Sequence, residues 1–292
     1  MTGKIPPRII QTGQSRNLPL LAKAATANLK CLNPEFEHRF FDDQEVSAFI
    51  QVEFPQYQEV FESFPFRIQR YDFFRYLAVF HLGGFYFDTD VFFVTGLHEL
   101  LAHRCVFSFE ELTLSRYLRR EYQMDWEIGN YGFGAEAGHP FLDAVIQNCI
   151  RAQRDPDWTK PMMEGIPRPF RAEFHILNTT GPGLVSRTFA DNPDLAKDMT
   201  ILFPDDVCDE RTWHQFGKFG VHAQEGSWRI QSGYIRRRLS NLWESWARRR
   251  FMGESLARGK TRSKPLRPQD DHSPSLSCFS ESLSPSTAEK IG

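Results

Sequence analysis

The chain has 292 residues, 41% of them hydrophobic, enough for a sizeable core in one large domain or two small ones. Its 35 basic and 37 acidic side chains nearly cancel, so the charge gives no reason to expect nucleic acid as a partner. The five scattered cysteines (Cys31, Cys105, Cys149, Cys208 and Cys278) form neither a metal pattern nor a disulfide framework, and a reducing cytoplasm is the expected setting.

Residues 1–10 contain Lys4, Pro6, Pro7 and Arg8 and no apolar run, so no signal peptide is expected. No Golgi-type anchor is expected either, because 76–94 is broken by His81, Gly83, Gly84, Asp88 and Asp90 before it reaches membrane-spanning length. Residues 8–12 read as a short buried strand ending at Gly13. Residues 18–32 read as a helix, with Leu21, Ala24, Ala25 and Leu29 near helical spacing and Asn33-Pro34 as its stop. A second strand at 37–41 leads to Asp42 and Asp43, which cap a helix running to about Phe54. Strand, helix, strand, helix opens an α/β nucleotide-binding unit, but GxGxxG and P-loop signatures are lacking. Residues 66–82 form a helix apolar nearly all round, closed by Gly83-Gly84. An aromatic, β-branched strand at 85–94 follows, interrupted at its middle by Asp88 and Asp90.

Further along, 105–109 reads as a strand and the polar stretch 113–125 as a loop or exposed helix over a site. Residues 129–134 are glycine-rich and aromatic, and 139–152 form a helix with Pro140 in its first turn. The four-proline stretch 156–169 reads as a loop, Thr179-Thr180-Gly181-Pro182-Gly183 as a capped helix start, and 200–203 as a late strand. Residues 234–251 form a basic amphipathic helix with Ile235, Leu239, Leu242 and Trp246 as its apolar stripe and the arginines at 236–238 and 248–250 outside it. From about Gly259 the chain is too polar to offset its ordering entropy. The expected division is a catalytic domain over 1–232, the basic helix over 233–258 and a disordered Ser/Pro-rich tail over 259–292.

The paired aspartates carry the chemistry. Alternate residues of an extended chain share a face, so Asp88 and Asp90 point the same way. Their run contains no Lys or Arg, and burying uncompensated carboxylates is costly. A hard cation, Mn²⁺ or Mg²⁺, satisfies both and also takes phosphate oxygens. Gly83-Gly84 permits a tight turn and close approach of a ligand to backbone. In the preceding helix Asp72 and Arg75 are neighbours on one face. They are either an internal ion pair or a polar edge facing a nucleotide, with Asp72 accepting from hydroxyls and Arg75 donating to phosphate. Thr180-Gly181-Pro182 either caps a helix or offers N–H groups to phosphate or acceptor. His38, His81, His98, His103, His175 and His214 read as surface or satisfied structural groups.

The segments Ile5-Pro6-Pro7-Arg8-Ile9-Ile10-Gln11-Thr12-Gly13, Asn33-Pro34-Glu35-Phe36-Glu37, Arg70-Tyr71-Asp72-Phe73-Phe74-Arg75-Tyr76 and Gly83-Gly84-Phe85-Tyr86-Phe87-Asp88-Thr89-Asp90 together resemble the DxD glycosyltransferases. Among these, the fungal initiating α-mannosyltransferases, the α1,4-glycosyltransferases and bacterial capsule enzymes are the nearest in pattern, and the clostridial glucosylating toxins are more distant. The resemblance continues at Gly132-Phe133-Gly134-Ala135, Gly138-His139-Pro140, Thr180-Gly181-Pro182, His222 and Gly226-Ser227-Trp228, so it spans about 5–230. It implies an α/β GT-A fold, Rossmann-like, with a mostly parallel central sheet flanked by helices. It also implies a UDP- or GDP-sugar donor, Mn²⁺ or Mg²⁺, and transfer with retention at the anomeric carbon. By position, Asp90 and His222 would ligate the metal, and Asp88 would bind metal and ribose. Trp228 would cover the donor, Ser227 would lie near the diphosphate, and Gln11 and Thr12 would meet the base. Relatives often have paired histidines where this chain has Val221-His222-Ala223, and an aromatic residue where it has Gly13.

No nucleophile is identified. Asn130 and Glu136 are the groups that could approach the sugar. The expected acceptor is a saccharide, a lipid-linked saccharide or a protein, in surface polysaccharide synthesis, with no obligate protein partner. The basic helix either packs on the domain or docks on an anionic membrane, giving a cytoplasmic enzyme peripheral at its inner face. Three rival readings stand beside this. One is an aspartyl-phosphate phosphatase with Asp88 as nucleophile and Asp205-Asp206 as a second acidic cluster. The second is a sugar-nucleotide-binding protein without turnover, and the third a glycosylating effector aimed at host protein.

Overall fold

The structure is a computed structural model describing residues 4–207, 209–223 and 234–258. The opening alternation follows the sequence closely. Strand β1 (Arg8–Thr12) leads to helix α1 (Leu20–Leu32), strand β2 (Glu37–Phe41) and helix α2 (Asp43–Glu53). Asp42 caps α2 by accepting from the N–H groups of Gln44 and Glu45, while the Glu45 carboxylate accepts from the Asp42 N–H. A short helix that the sequence pattern did not suggest, α3 (Gln58–Ser63), precedes α4 (Arg67–Leu82).

The stretch predicted as one interrupted strand is two strands in two sheets. Strand β3 (Gly84–Phe87) and strand β4 (Val91–Phe93) flank a turn made by Asp88, Thr89 and Asp90. The carboxylates therefore stand at a strand end, where ligands meet the sheet in α/β folds. Strand β5 (Cys105–Leu112), helix α5 (Arg116–Glu121) and strand β6 (Trp126–Ala135) follow. The glycine-rich stretch is thus the middle of a ten-residue strand. Its glycines are required by close approach: a Cβ on Gly134 would lie 2.3 Å from the Phe85 ring.

Helix α6 (Pro140–Arg154) leads into the proline-rich stretch. That stretch is not a plain loop: it holds α7 (Pro156–Thr159) and two 3-10 turns, with Pro156, Pro161 and Pro169 in first-turn positions. Helices α8 (Arg171–Thr179), α9 (Pro182–Asp191) and α10 (Pro193–Ala196), strands β7 (Met199–Leu202), β8 (Gln215–Phe216) and β9 (Gly220–His222), and the long helix α11 (Tyr234–Arg258) complete the described chain.

Among the described residues the main sheet has the order β2-β1-β3-β6-β5-β7, and β6 is antiparallel to both its neighbours while the other pairings are parallel. This mostly parallel sheet, flanked by helices, agrees with the α/β architecture that the sequence resemblance implied. A buried aromatic core, including Phe73, Phe74, Phe107, Phe133 and Phe141, fills the space between the sheet and α4, α6 and α9. A second apolar cluster, including Phe85, Phe87, Phe93 and Phe216, joins the main sheet to the small sheet β4-β9-β8. Asn28 of α1 closes the free edge of β4, donating to the Phe93 carbonyl at 3.0 Å and accepting from its N–H at 2.7 Å. Among the described residues, no helix is long and apolar enough to cross a membrane.

Candidate active site

The second sheet positions the candidate metal ligands. In the β4–β9 pairing Val91 stands opposite His222, and the Ala223 N–H donates to the Asp90 carbonyl at 2.9 Å. Residues more than a hundred positions apart are thereby locked side by side. His222 Nε2 lies 3.2 Å from Asp90 Oδ1, and the imidazole stacks on the Tyr131 ring at 4.4 Å. One ligand atom from each of Asp88, Asp90 and His222 falls within 4.8 Å of the others.

Beneath Asp88 lies a buried charged network. Arg75 Nη2 is 3.2 Å from both Asp72 Oδ1 and Asp88 Oδ1, and its Nη1 donates to the Asn130 carbonyl at 2.7 Å. Tyr86, under the guanidinium at 4.5 Å, donates to Asp88 Oδ1 at 2.8 Å and is hydrogen-bonded to the Thr12 hydroxyl. Burial pushes the Asp88 carboxyl up, and Arg75 opposes it. The Asp72 carboxyl is likewise pushed up by burial, to about 6, against the pull of Arg75. For His222, burial works against protonation, but Asp90, with Asp88 and Glu110 behind it, outweighs burial and raises the imidazole.

These groups border a cleft of about 970 Å³, within the usual size for small-ligand sites. Of the residues predicted from sequence, Thr12, Asp72, Arg75, Asp88, Asp90, Asn130, Gly181 and His222 line it. Gln11 does not: it is buried, donates toward the Asp88 carbonyl at 3.4 Å and is tied to His38 at 2.8 Å, so it braces the turn rather than meeting a base. Gly84 is also elsewhere. At φ +108° it lets β1 approach, since a Cβ there would come 2.6 Å from the Arg8 carbonyl, and the close neighbour is protein rather than ligand. The Thr180 hydroxyl is buried and donates to Asp72 Oδ2 at 2.8 Å. The N–H groups of Thr180 and Gly181 both donate to the Ile176 carbonyl, which removes them as phosphate donors. Asp72 is an internal partner of Arg75, Asn130 and Thr180, so its oxygens are engaged by protein. Glu136 pairs with Arg104 and is not part of the cleft lining. Ser227 and Trp228 lie outside the described residues.

Other lining groups were not singled out by the sequence pattern. Glu110, Glu111, Glu127 and Glu210 give the cleft an acidic wall. Alternation along β5 and β6 was the available signal for the first three, obscured by the glycines beside them. His214, expected to be structural, also lines the cleft. It adopts φ 60°, unusual for a non-glycine residue, and its Nδ1 is 3.4 Å from Glu110. The phosphatase reading loses its second cluster, because Asp205 and Asp206 are exposed and not part of the cleft lining.

The helix α11 closes one rim. It turns the predicted arrangement round: Ser240, Glu244 and Arg248 are buried, whereas Leu239, Leu242 and Trp246 are 54%, 59% and 56% exposed. Arg248, expected outside, pairs with Glu111 and Glu244 and lies over the Trp213 ring.

The donor set fits a divalent cation. Two carboxylates and an imidazole can each offer a ligand atom to such an ion, and His222 Nδ1 is buried with no hydrogen-bond partner among the described residues.

The site is thus a turn carrying paired aspartates at the end of β3, on the edge of a mostly parallel α/β sheet. Residues 21–107 match the family described as the glycosyltransferase sugar-binding region containing a DXD motif. It is similar to inositol phosphoceramide mannosyltransferase 3 of Schizosaccharomyces pombe, 29% identical over 50% of this chain and 38% of that protein. It is also similar to the mannosyl phosphorylinositol ceramide synthase SUR1 of Saccharomyces cerevisiae, 26% identical over 62% of this chain and 41% of that protein. The chain thus spans about two fifths of the length of these curated relatives. Among solved structures, the PaToxG glycosyltransferase superposes with a TM-score of 0.45 at 14% identity, covering 65% of this chain and 72% of that one.

Proposed function

We propose that this protein is a metal-dependent, retaining glycosyltransferase that moves a hexose, mannose by preference, from a UDP- or GDP-sugar to an inositol-bearing or other lipid-linked saccharide acceptor. The observation that carries this reading is the triad of Asp88, Asp90 and His222 at the edge of a cleft large enough for a sugar nucleotide. The names of the relatives, mannosyltransferases of inositol phosphoceramide, support the sugar and the acceptor class.

Asp88, Asp90 and His222 would hold Mn²⁺ or Mg²⁺, which neutralises charge on a departing diphosphate. The protein's own contribution is preorganisation. Arg75 and Tyr86 fix Asp88 from below, so the carboxylate needs no reorientation when the donor arrives. Asn130 gives its amide N–H groups to Asp72 Oδ1 at 3.0 Å and the Tyr76 hydroxyl at 2.9 Å. Its carbonyl oxygen is then the atom left to accept from a sugar hydroxyl. The acidic wall of Glu110, Glu111 and Glu127 suits hydroxyl-rich acceptors, because carboxylates accept from sugar hydroxyls.

The test is a panel of UDP- and GDP-sugars with Mn²⁺, read as donor hydrolysis and as transfer to lipid-linked acceptors. One donor is expected to be turned over, and Asp90→Asn to lose that turnover. Release of phosphate from simple phosphomonoesters, with no sugar nucleotide consumed, would instead mean a phosphatase.

A further inference from the structure

The rim helix α11 is amphipathic in an inverted sense. Ser240, Glu244 and Arg248, spaced four apart, form its buried face. The opposite stripe of Leu239, Leu242 and Trp246 is more than half exposed among the described residues. A soluble helix normally buries its apolar stripe and wets its polar one. Here the polar face is held by specific bonds. The Ser240 hydroxyl donates to Glu244 at 2.9 Å, Arg248 bridges Glu244 and Glu111, and Trp243 at the boundary packs on Phe170 and Phe174. The helix cannot roll over to hide the stripe without breaking a buried ion pair.

The charge on the outer side is one-sided. Among residues 238–250 the exposed charges are Arg238, Arg249 and Arg250, and the one acidic residue, Glu244, is buried. Arg238 and Arg249 are exposed on one flank of the stripe, and the Arg250 guanidinium lies 5.7 Å over the Trp246 ring. Two copies meeting through this face would bring their guanidinium groups together. An anionic lipid surface satisfies both features at once: leucine and tryptophan enter the headgroup boundary, and arginines meet phosphate or carboxylate headgroups. The same helix lines the cleft through Asn241, Glu244, Ser245 and Arg248.

We propose that α11 is an interfacial anchor: its outer face of Leu239, Leu242 and Trp246, flanked by arginines, inserts into an anionic bilayer and holds the mouth of the cleft at the membrane surface. The insertion stands by itself; only its use, presenting a lipid-linked acceptor to the cleft, rests on the proposed glycosyl transfer. Arg248 is an internal brace in this arrangement, and the exposed stripe makes the contact.

The full chain is mixed with phosphatidylcholine vesicles, with and without phosphatidylserine, and sedimented across a salt series. The expected result is binding to the anionic vesicles that weakens with salt. The Leu239→Ser/Leu242→Ser/Trp246→Ser variant should bind at least about tenfold more weakly. Arg249→Glu/Arg250→Glu should show a comparable loss on anionic vesicles. These side chains are exposed, so both variants are expected to keep the wild-type melting temperature and the wild-type hydrolysis of soluble donor. If the proposed chemistry holds, transfer to a bilayer-embedded acceptor falls in both. Wild-type protein left in the supernatant, or variant and wild type sedimenting alike, overturns the anchor whatever the donor assay reads. A wild-type dimer in solution that the triple substitution dissociates assigns the stripe to a second copy and overturns it as well.

Discussion

Arg75 is the residue on which the site's electrostatics turn. It is 2% exposed, and two carboxylates lie 3.2 Å from one of its nitrogens. Removing it leaves Asp72 and Asp88 without their buried counter-charge, a change that costs about 3–5 kcal/mol. Arg75→Ala is therefore expected to lower urea-denaturation stability by that amount, more than Asp90→Asn, which takes away a charge at the cleft edge. Glu127 makes an opposite case. Burial, with Glu111 close by, pushes its carboxyl up to about 7 from 4.5. A carboxyl held above its unfolded value binds its proton more tightly when folded. Its contribution to stability is full below pH 4.5 and is lost as the pH rises through about 7. Glu127→Gln keeps the oxygen that accepts from Thr113 and removes the charge. The variant should match wild type near pH 4.5 and be more stable by roughly 1–2 kcal/mol at pH 8, a figure reduced for water in the cleft. Denaturant melts of both proteins at the two pH values decide it. Equal stability at pH 8 would mean that Arg248 already compensates Glu127 fully.

At the scale of the element, strand β6 shows what the sequence could and could not convey. Helices with caps and stops were legible: the Asp42 cap, the Asn33-Pro34 stop and the Gly83 end all act locally, within one turn. Strand β6 was not, because glycine lowers strand propensity when read alone. Its reason lies across the sheet, where Phe85 and Phe87 fill the space that β6 side chains would take. The α11 stripe was legible as a period but not as a direction, since a helical repeat does not say which face meets the domain. The metal candidates were readable because two carboxylates inside an apolar run demand a counter-charge that the run itself does not supply. Gln11 was placed by resemblance, Gly84 and Thr180 by local backbone chemistry, and contacts within the protein turn all three toward support of the site. The close approach in β6 has a measurable consequence. Gly134→Ala puts a methyl 2.3 Å from the Phe85 ring and is expected to cost about 1–3 kcal/mol. Phe85→Leu in the same chain should recover part of that loss, and a double-mutant cycle in urea gives the coupling directly. Additive losses would mean that the strands separate instead of the ring moving.

At the scale of the whole molecule, the candidate metal ligands come from two segments far apart along the described chain. Asp88 and Asp90 lie on the turn between β3 and β4, and His222 ends β9. Only the pairing of β4 with β9 brings them together, and that small sheet is joined to the main one through Phe87, Phe93 and Phe216. An unfolded chain has no such site. A ligand that binds there stabilises the native state alone, by about 2.7 kcal/mol at a hundredfold excess over its dissociation constant. At roughly 2–4 °C per kcal/mol for a protein of this size, Mn²⁺ with a nucleoside diphosphate should raise the melting temperature by about 5–10 °C. The diphosphate without metal should raise it much less, because the triad presents two carboxylates to it. His222→Ala should reduce the shift, read against the variant's own metal-free melt, which itself falls because the Tyr131 stacking and the Asp90 contact are lost. If the shift survives intact in both His222→Ala and Asp90→Asn, the cation binds elsewhere, and the β4–β9 pairing serves the fold rather than the chemistry.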